Sequence, residues 1–157
     1  MVSGGVREGG VGDGVPWQLP ATRPLVGRHA ELSVLEGLRQ RAARAGMPAV
    51  VVISGLGGVG ESTLSAAWLR ALRTTLPDGA LYADLGGQWP VGPAEPFQVL
   101  GGFLRALGVR PDRIPHATHE RAALYRSLTA GRRLVVLLDD ARSAAQVRPL
   151  LPSGPNV

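Results

Sequence analysis

Glycines and a hydroxyl side chain occur together in one short stretch, Gly55-Leu56-Gly57-Gly58-Val59-Gly60-Glu61-Ser62. Gly55 and Gly60 have the spacing of the two glycines in the pattern G-x-x-x-x-G-K-[S/T], and Ser62 stands at its hydroxyl position. Glycines let the backbone curl with several N–H groups pointing inward, which creates a site for an anion such as phosphate. Glu61 occupies the position of the lysine in that pattern. We interpret the stretch as a phosphate-binding loop with an altered charge; a glycine-rich turn without a ligand is the alternative.

The stretch "LVVLLDD" ends in two neighbouring carboxylates, Asp139 and Asp140, which follow five apolar residues. A carboxylate at the end of a buried strand, beside a phosphate-binding loop, is positioned to hold Mg²⁺ directly or through water. Its neighbour is positioned to orient or deprotonate an attacking water. Acidic residues commonly end strands, so the run indicates a metal site only together with the glycine loop.

Strands and helices alternate in the pattern of apolar residues. Residues 49–54, 80–85 and 132–140 are short β-branched or apolar runs that predict buried strands. Helical spacing follows the glycine loop and recurs in "RHAELSVLEGLRQRAARAG", "FQVLGGFLRALG" and "THERAALYRSLTAG". This alternation predicts an α/β fold with a parallel sheet flanked by helices. Right-handed crossovers then bring the carboxyl ends of the strands, and both chemical motifs, to one edge.

Length and composition indicate one cytoplasmic domain behind a flexible beginning. The chain has 157 residues, no cysteine and no apolar run long enough to cross a membrane. The first residues lack the apolar stretch of a secretory signal. We expect residues 1–22 to be a disordered lead-in rich in glycine and proline, and residues 23–157 to form the domain.

Charge and histidine placement argue against two kinds of site. The formal net charge is +5 and all 17 basic residues are arginines, but they are spread along the chain. No basic recognition helix is present, so direct nucleic-acid binding is not predicted. His116 and His119 flank the start of a predicted helix without cysteine or acidic partners at ligand spacing, so we interpret them as surface residues.

A third stretch, "PLVGRHAEL", makes a family resemblance specific. Together with "GLGGVG" and "LLDD", it resembles the NB-ARC branch of the STAND P-loop NTPases. These are signalling ATPases that switch between ADP-bound and ATP-bound forms. The sequence is most similar to the nucleotide-binding segment of actinobacterial transcriptional regulators of the Streptomyces antibiotic regulatory protein type, over roughly residues 18–157.

The resemblance implies a nucleotide site and assigns a role to each matching position. Val26 and Arg28 would line the adenine side of the pocket, and the loop with the start of the following helix would hold the phosphates. Ser62 and Asp139 would hold Mg²⁺ with ADP or ATP, and Asp140 would be the candidate base. The nucleotide-binding set is Val26, Arg28, Gly55, Gly57, Gly58, Val59, Gly60, Glu61, Ser62 and Thr63.

Glu61 is the first departure from the family pattern. A lysine there would attract the phosphates, whereas glutamate repels them. One unit-charge contact at about 4 Å, with an effective dielectric constant of about 20, is worth about 4 kcal/mol. Glutamate in the first turn of a helix is favourable for the helix itself. We therefore expect the fold to be retained, hydrolysis to be weak or absent, and ADP binding to suffer less.

The second departure concerns the sheet. The resemblance implies the strand order 5-1-4-3-2, with residues 49–54 as strand 1 and residues 132–140 as strand 3. Strand 4 would begin near Asn156, so we expect a P-loop NTPase-like sheet that stops before its fourth core strand. Three hypotheses follow: a nucleotide-binding module, a pseudo-NTPase that binds other protein chains or domains of a parent regulator, and a non-functional remnant of a transcriptional regulator.

Overall fold

The computed structural model describes residues 14–22, 24–55, 60–86 and 92–154. Five α-helices and a sheet of two parallel strands are assigned within this part of the chain. None of the helices described there is long and apolar enough to cross a membrane. The elements are α1 (His29–Arg44), α2 (Glu61–Ala71), β1 (Gly79–Asp84), α3 (Pro96–Ala106), α4 (Thr118–Thr129), β2 (Leu134–Asp139) and α5 (Ala144–Val147), with 3-10 turns at Arg73–Thr75, Pro111–Arg113 and Arg148–Leu150.

The two strands pair in parallel from Gly79 opposite Leu134 to Asp84 opposite Asp139. Because strand side chains alternate between faces, each strand contributes to two different cores. Leu81 and Leu134 are fully buried on the face covered by α3 and α4. The main core on this face consists of Leu81, Leu85, Leu100, Phe103, Leu104, Leu107, Ile114, Ala122, Tyr125, Leu134 and Leu150. The predicted parallel sheet with flanking helices is confirmed in this reduced, two-stranded form.

The opposite face of the sheet carries a smaller core. Ala80 of β1 and Leu69 of α2 are buried there, and Val135 and Leu137 of β2 pack against them. Helix α2 therefore covers the face that the main core does not use, and Leu64, Ser65, Ala66 and Leu69 are its buried residues. This placement sets α2 beside β2, which matters for the site described below.

The described part of the lead-in lies against the sheet, which differs from our expectation of disorder through residue 22. Trp17 forms a parallel bridge with Ala80, and Leu19 is 95% buried, since only 5% of it is exposed. Two apolar side chains among the prolines account for this, because their burial offsets the entropy lost on ordering a short segment. Residues 1–13, the other part of that expectation, lie outside the described residues.

The strand predicted at residues 49–54 is wrong for this structure. No backbone hydrogen bond joins this segment to another described segment, and Val50 and Val52 are 65% and 85% exposed. Val51 and Ile53, which alternate with them, are half-buried. The alternation of a strand is therefore present, but an extended segment becomes a strand only where a neighbour completes its hydrogen bonds.

Tyr125 provides a test of the main core. Its side chain is fully buried, its hydroxyl has no hydrogen-bond partner within the described part of the chain, and its ring centroid lies 5.7 Å from that of Phe103. Burial also raises the pKa of its hydroxyl. An unsatisfied buried polar group costs about 1–3 kcal/mol. We therefore expect Tyr125→Phe to raise the free energy of unfolding by about 1 kcal/mol or more in urea denaturation.

The half-exposed Tyr82 supplies the matched control for this prediction. Tyr82→Phe removes the same hydroxyl from a site that reaches water, so we expect a change within about 0.5 kcal/mol. A clear loss of stability in Tyr125→Phe would contradict the assignment of its hydroxyl as unsatisfied.

Candidate functional site

Ser62 and Asp139, which are 77 positions apart, meet in the folded chain. The Ser62 hydroxyl donates a hydrogen bond to Asp139 Oδ1 with an Oγ–Oδ1 distance of 2.8 Å. Ser62 is the second residue of α2, and Asp139 is the last residue of β2. The two motifs therefore converge at the carboxyl edge of the sheet, beside the beginning of α2.

Strand alternation explains why Asp139 faces α2. Val135 and Leu137 of β2 point to the face covered by α2, and Asp139 is the next residue with the same parity. The chain enters α2 through Gly60, whose φ of 90° lies in the left-handed region that favours glycine. Local backbone geometry thus places a hydroxyl in the first turn of α2 opposite the carboxylate that ends β2.

The electrostatics of this edge are dominated by negative side chains near a positive helix end. The N-terminus of a helix carries a partial positive charge from its free N–H groups. The hydrogen bond from Ser62 places the Asp139 carboxylate beside the N-terminus of α2. The backbone N–H of Asp140 donates to Asp139 Oδ1 at an N–O distance of 3.1 Å. Asp140 has a φ of 51°, a left-handed conformation that aspartate tolerates better than most residues.

Asp84 and Tyr82, which we did not predict as site residues, belong to the same edge. Asp84 ends β1 directly opposite Asp139 in the strand register, and its Oδ1 accepts a hydrogen bond from the N–H of Gly86 at 2.9 Å. Burial, followed by the charges of Asp139 and Asp84, raises the pKa of Tyr82. The signal for Asp84 was present in the sequence, since it ends one apolar strand as Asp139 ends another.

For the other predicted residues of the phosphate-binding loop and the start of α2, the structure gives their position and exposure. Gly55 is exposed, Thr63 is half-buried in α2, and Glu61 is the first residue of α2. Gly57, Gly58 and Val59 lie outside the described residues, so the shape of the loop itself stays a prediction.

The proposed adenine side remains a prediction too. Val26 is 87% exposed. Arg28 precedes α1 and its guanidinium donates to Glu31 at an N–O distance of 2.9 Å. That hydrogen bond lowers the pKa of Glu31. His116 and His119 are exposed, as we expected for surface residues.

The Ser62 and Asp139 oxygens suit Mg²⁺ better than a metal that needs a complete protein cage. Mg²⁺ prefers oxygen ligands and is typically held by one or two carboxylates together with phosphates and waters. Within the described residues, no group of three or more His, Cys, Asp or Glu side chains could hold a metal. Two oxygen ligands would suit Mg²⁺ only where phosphates or waters supply the remaining ligands.

A groove lies elsewhere among the described residues, between α1 and the second half of α2. It has a volume of about 700 Å³, and its lining includes Leu32, Trp68 and Leu72 but none of the predicted site residues. Glu36 also lines it. A hydrogen bond from Arg39 is the main reason that the pKa of Glu36 falls to about 2. The groove therefore provides no support for the predicted nucleotide position.

Comparison with known proteins identifies homologous segments in two regulatory proteins. The chain is 52% identical to regulatory protein AfsR of Streptomyces coelicolor over 142 residues, which are 87% of this chain. It is 50% identical to regulatory protein AfsR of Streptomyces griseus over 141 residues, or 89% of this chain. The chain spans 14% of the length of each relative. No protein-family model matches it, and no solved structure matches it.

A double-mutant cycle tests the central contact of the site. Ser62→Ala and Asp139→Ala each remove one partner of the hydrogen bond, so we expect a coupling energy of about 1 kcal/mol in urea denaturation. The control cycle pairs Ser62→Ala with Asp78→Ala, because Asp78 accepts the N–H of Arg133 at the opposite end of the strands. There we expect additivity within about 0.5 kcal/mol. Equal coupling in the two cycles would contradict the Ser62–Asp139 contact.

Proposed function

We propose that this chain belongs to a P-loop nucleotide-binding domain of NB-ARC type within a regulatory protein, and that it binds ADP or ATP with Mg²⁺ weakly. The observation that carries the proposal is the hydrogen bond between Ser62 and Asp139. These two residues come from separate motifs, the glycine-rich stretch and the run "LVVLLDD", which predict one metal site together. Their contact supports that assignment, because it brings the two proposed oxygen ligands to one place at the start of α2.

In this proposal, each group at the carboxyl edge of the sheet has a separate role in binding a phosphate compound. The N-terminal turn of α2 presents N–H groups and a partial positive charge to an anion. The Ser62 hydroxyl and the Asp139 carboxylate supply two oxygen ligands for Mg²⁺. When bound, the metal would neutralise charge on the phosphate oxygens. The Asp140 carboxylate, one residue further on, is the proposed base that orients water.

Glu61 accounts for the weak binding and poor turnover in this proposal. It begins α2, so its negative charge improves the dipole interaction of the helix. The same charge opposes phosphates at the position where P-loop proteins use lysine. We expect hydrolysis to depend on that positive charge more than ADP binding does, because backbone N–H groups at the start of α2 would still be available to the phosphates.

The homologous segments support a second part of the proposal, that the chain acts within a larger regulator. Both relatives are named regulatory proteins, and the chain spans 14% of their length. Further domains of such a regulator are the partners that would complete the nucleotide pocket. This observation also supports the simpler candidate, a segment or remnant of a transcriptional regulator that binds no nucleotide, so the experiment must separate the two.

Titration of fluorescently labelled ADP and ATP, with and without Mg²⁺, separates these candidates. We expect saturable binding that weakens when EDTA removes the metal, because Ser62 and Asp139 contribute through Mg²⁺. Ser62→Ala should reproduce the loss in the presence of the metal. Absence of binding at millimolar nucleotide would eliminate the nucleotide-binding proposal and leave the simpler candidate.

Glu61→Lys tests the account of the weak binding. Replacing repulsion with attraction should lower the Kd for ATP by at least about tenfold, equivalent to about 1.4 kcal/mol. Glu120→Lys is the matched control, since Glu120 is also an acidic residue in the first turn of a helix, α4. We expect no change in Kd for the control. An unchanged Kd in Glu61→Lys would contradict the proposed role of Glu61.

A further inference from the structure

Residues 16–20 form a short extended segment, here called the strap, that pairs with the outer edge of β1. The N–H of Ala80 donates to the carbonyl of Pro16 at 2.8 Å, and the N–H of Gln18 donates to the carbonyl of Ala80 at 2.9 Å. The side-chain oxygen of Gln18 accepts the N–H of Tyr82 at 3.3 Å. The strap is therefore held to the sheet by the kind of hydrogen bonds that join parallel strands.

Helix α2 holds the same strap from its C-terminal end. Arg70 Nε and Nη2 donate to the carbonyl of Pro20 at 3.0 and 2.9 Å, and Nη2 also donates to the carbonyl of Leu19 at 3.0 Å. The guanidinium of Arg73 lies 4.8 Å from the centre of the Trp17 ring. A guanidinium presents several donors in a rigid plane, so Arg70 fixes both the distance and the angle between helix and strap.

The sheet has a matching seat for the strap at the first residue of β1. A Cβ atom on Gly79 would lie 2.1 Å from the carbonyl oxygen of Pro16, closer than real atoms approach. Gly79 also has a φ of 104°, in the region that favours glycine. The contact between strap and sheet therefore depends on a position without a side chain.

The N-terminal end of α2 therefore contacts β2, and its C-terminal end contacts the strap. Ser62 in its first turn contacts Asp139, and Arg70 in its last turn contacts the strap. The two residues are eight positions apart, or about 12 Å along the axis at 1.5 Å per residue. A helix of this length moves as one body, so release of one end changes the freedom of the other.

We propose that Arg70 is a positioning residue that ties α2 to the strap and thereby holds Ser62 within reach of Asp139. The strap then acts as a control point, because a change in the chain before residue 16 that lifts it from β1 also loosens the metal-binding turn of α2. The structural part of this inference is independent of the proposed function. Its consequence for nucleotide binding rests on that function.

Residue-resolved hydrogen exchange on the full chain tests the structural part. In Arg70→Ala we expect exchange of the Leu64–Ala67 amides, the first hydrogen-bonded amides of α2, to rise by about tenfold or more, while the amides of β2 and α4 are unchanged. Arg70→Lys should restore part of the protection, because an ammonium group reaches the carbonyls without the planar fork. Arg126→Ala is the matched control, since Arg126 is an exposed arginine in the last turn of α4.

Two results would overturn the inference. Unchanged exchange at Leu64–Ala67 in Arg70→Ala would show that the strap does not position α2. A uniform rise that includes β2 and α4, without partial rescue by Arg70→Lys, would assign Arg70 a general structural role.

The nucleotide arm distinguishes this inference from the proposed function. We expect Arg70→Ala to weaken Mg²⁺-dependent ADP binding by at least about threefold, with Arg126→Ala unchanged. If the unaltered chain binds no nucleotide, the proposed function fails, and the exchange measurement still decides whether Arg70 positions α2. Binding that is unaffected by Arg70→Ala would contradict the control role of the strap.

Discussion

The parallel pairing of β1 and β2 is the constraint on which the other features of this molecule depend. Its register places Asp84 opposite Asp139 and aligns every residue between them and the strand beginnings. Alternation then sends Leu81 and Leu134 to the core beneath α3 and α4. The residues of opposite parity go to the face beneath α2 and the lead-in. A shift of one residue would exchange these faces and move Asp139 away from α2.

The strand register determines both the position of the candidate site and its negative charge. Asp84, Asp139 and Asp140 bring three carboxylates to one edge of the sheet, and Glu61 adds a fourth acidic residue at the start of α2. Such an edge repels a phosphate unless a cation lies between them. The partial charge of one helix end is too small to compensate fully. Under the proposed function, phosphate binding at this edge would therefore depend strongly on a metal ion, since Glu61 adds a negative charge where the P-loop pattern has lysine.

The lead-in shows how a segment with little secondary structure participates in the same arrangement. It contacts β1 through its backbone and α2 through Arg70, so it lies where the sheet and the helix can both be influenced. Trp17 contributes apolar area, although its indole N–H has no hydrogen-bond partner among the described residues. An unsatisfied donor of this kind lowers the net stability of the contact. The hydrogen bonds to β1 and to Arg70 therefore hold the segment in place in spite of this unsatisfied donor.

The sequence by itself determined the helices from α1 to α4, the two parallel strands and the convergence of Ser62 and Asp139 at one edge of the sheet. These depend on apolar periodicity and on glycine and aspartate at strand ends, which are local signals. Only the tertiary structure decided which of two extended segments, residues 49–54 or the lead-in, pairs with the sheet. Both are extended segments with apolar side chains, and the difference between them is whether a neighbouring backbone is available. Trp17 finds Ala80 beside it, whereas Val50 and Val52 remain exposed. Hydrogen bonding between strands is made by residues far apart in the chain, so no local pattern can specify which extended segment becomes part of a sheet.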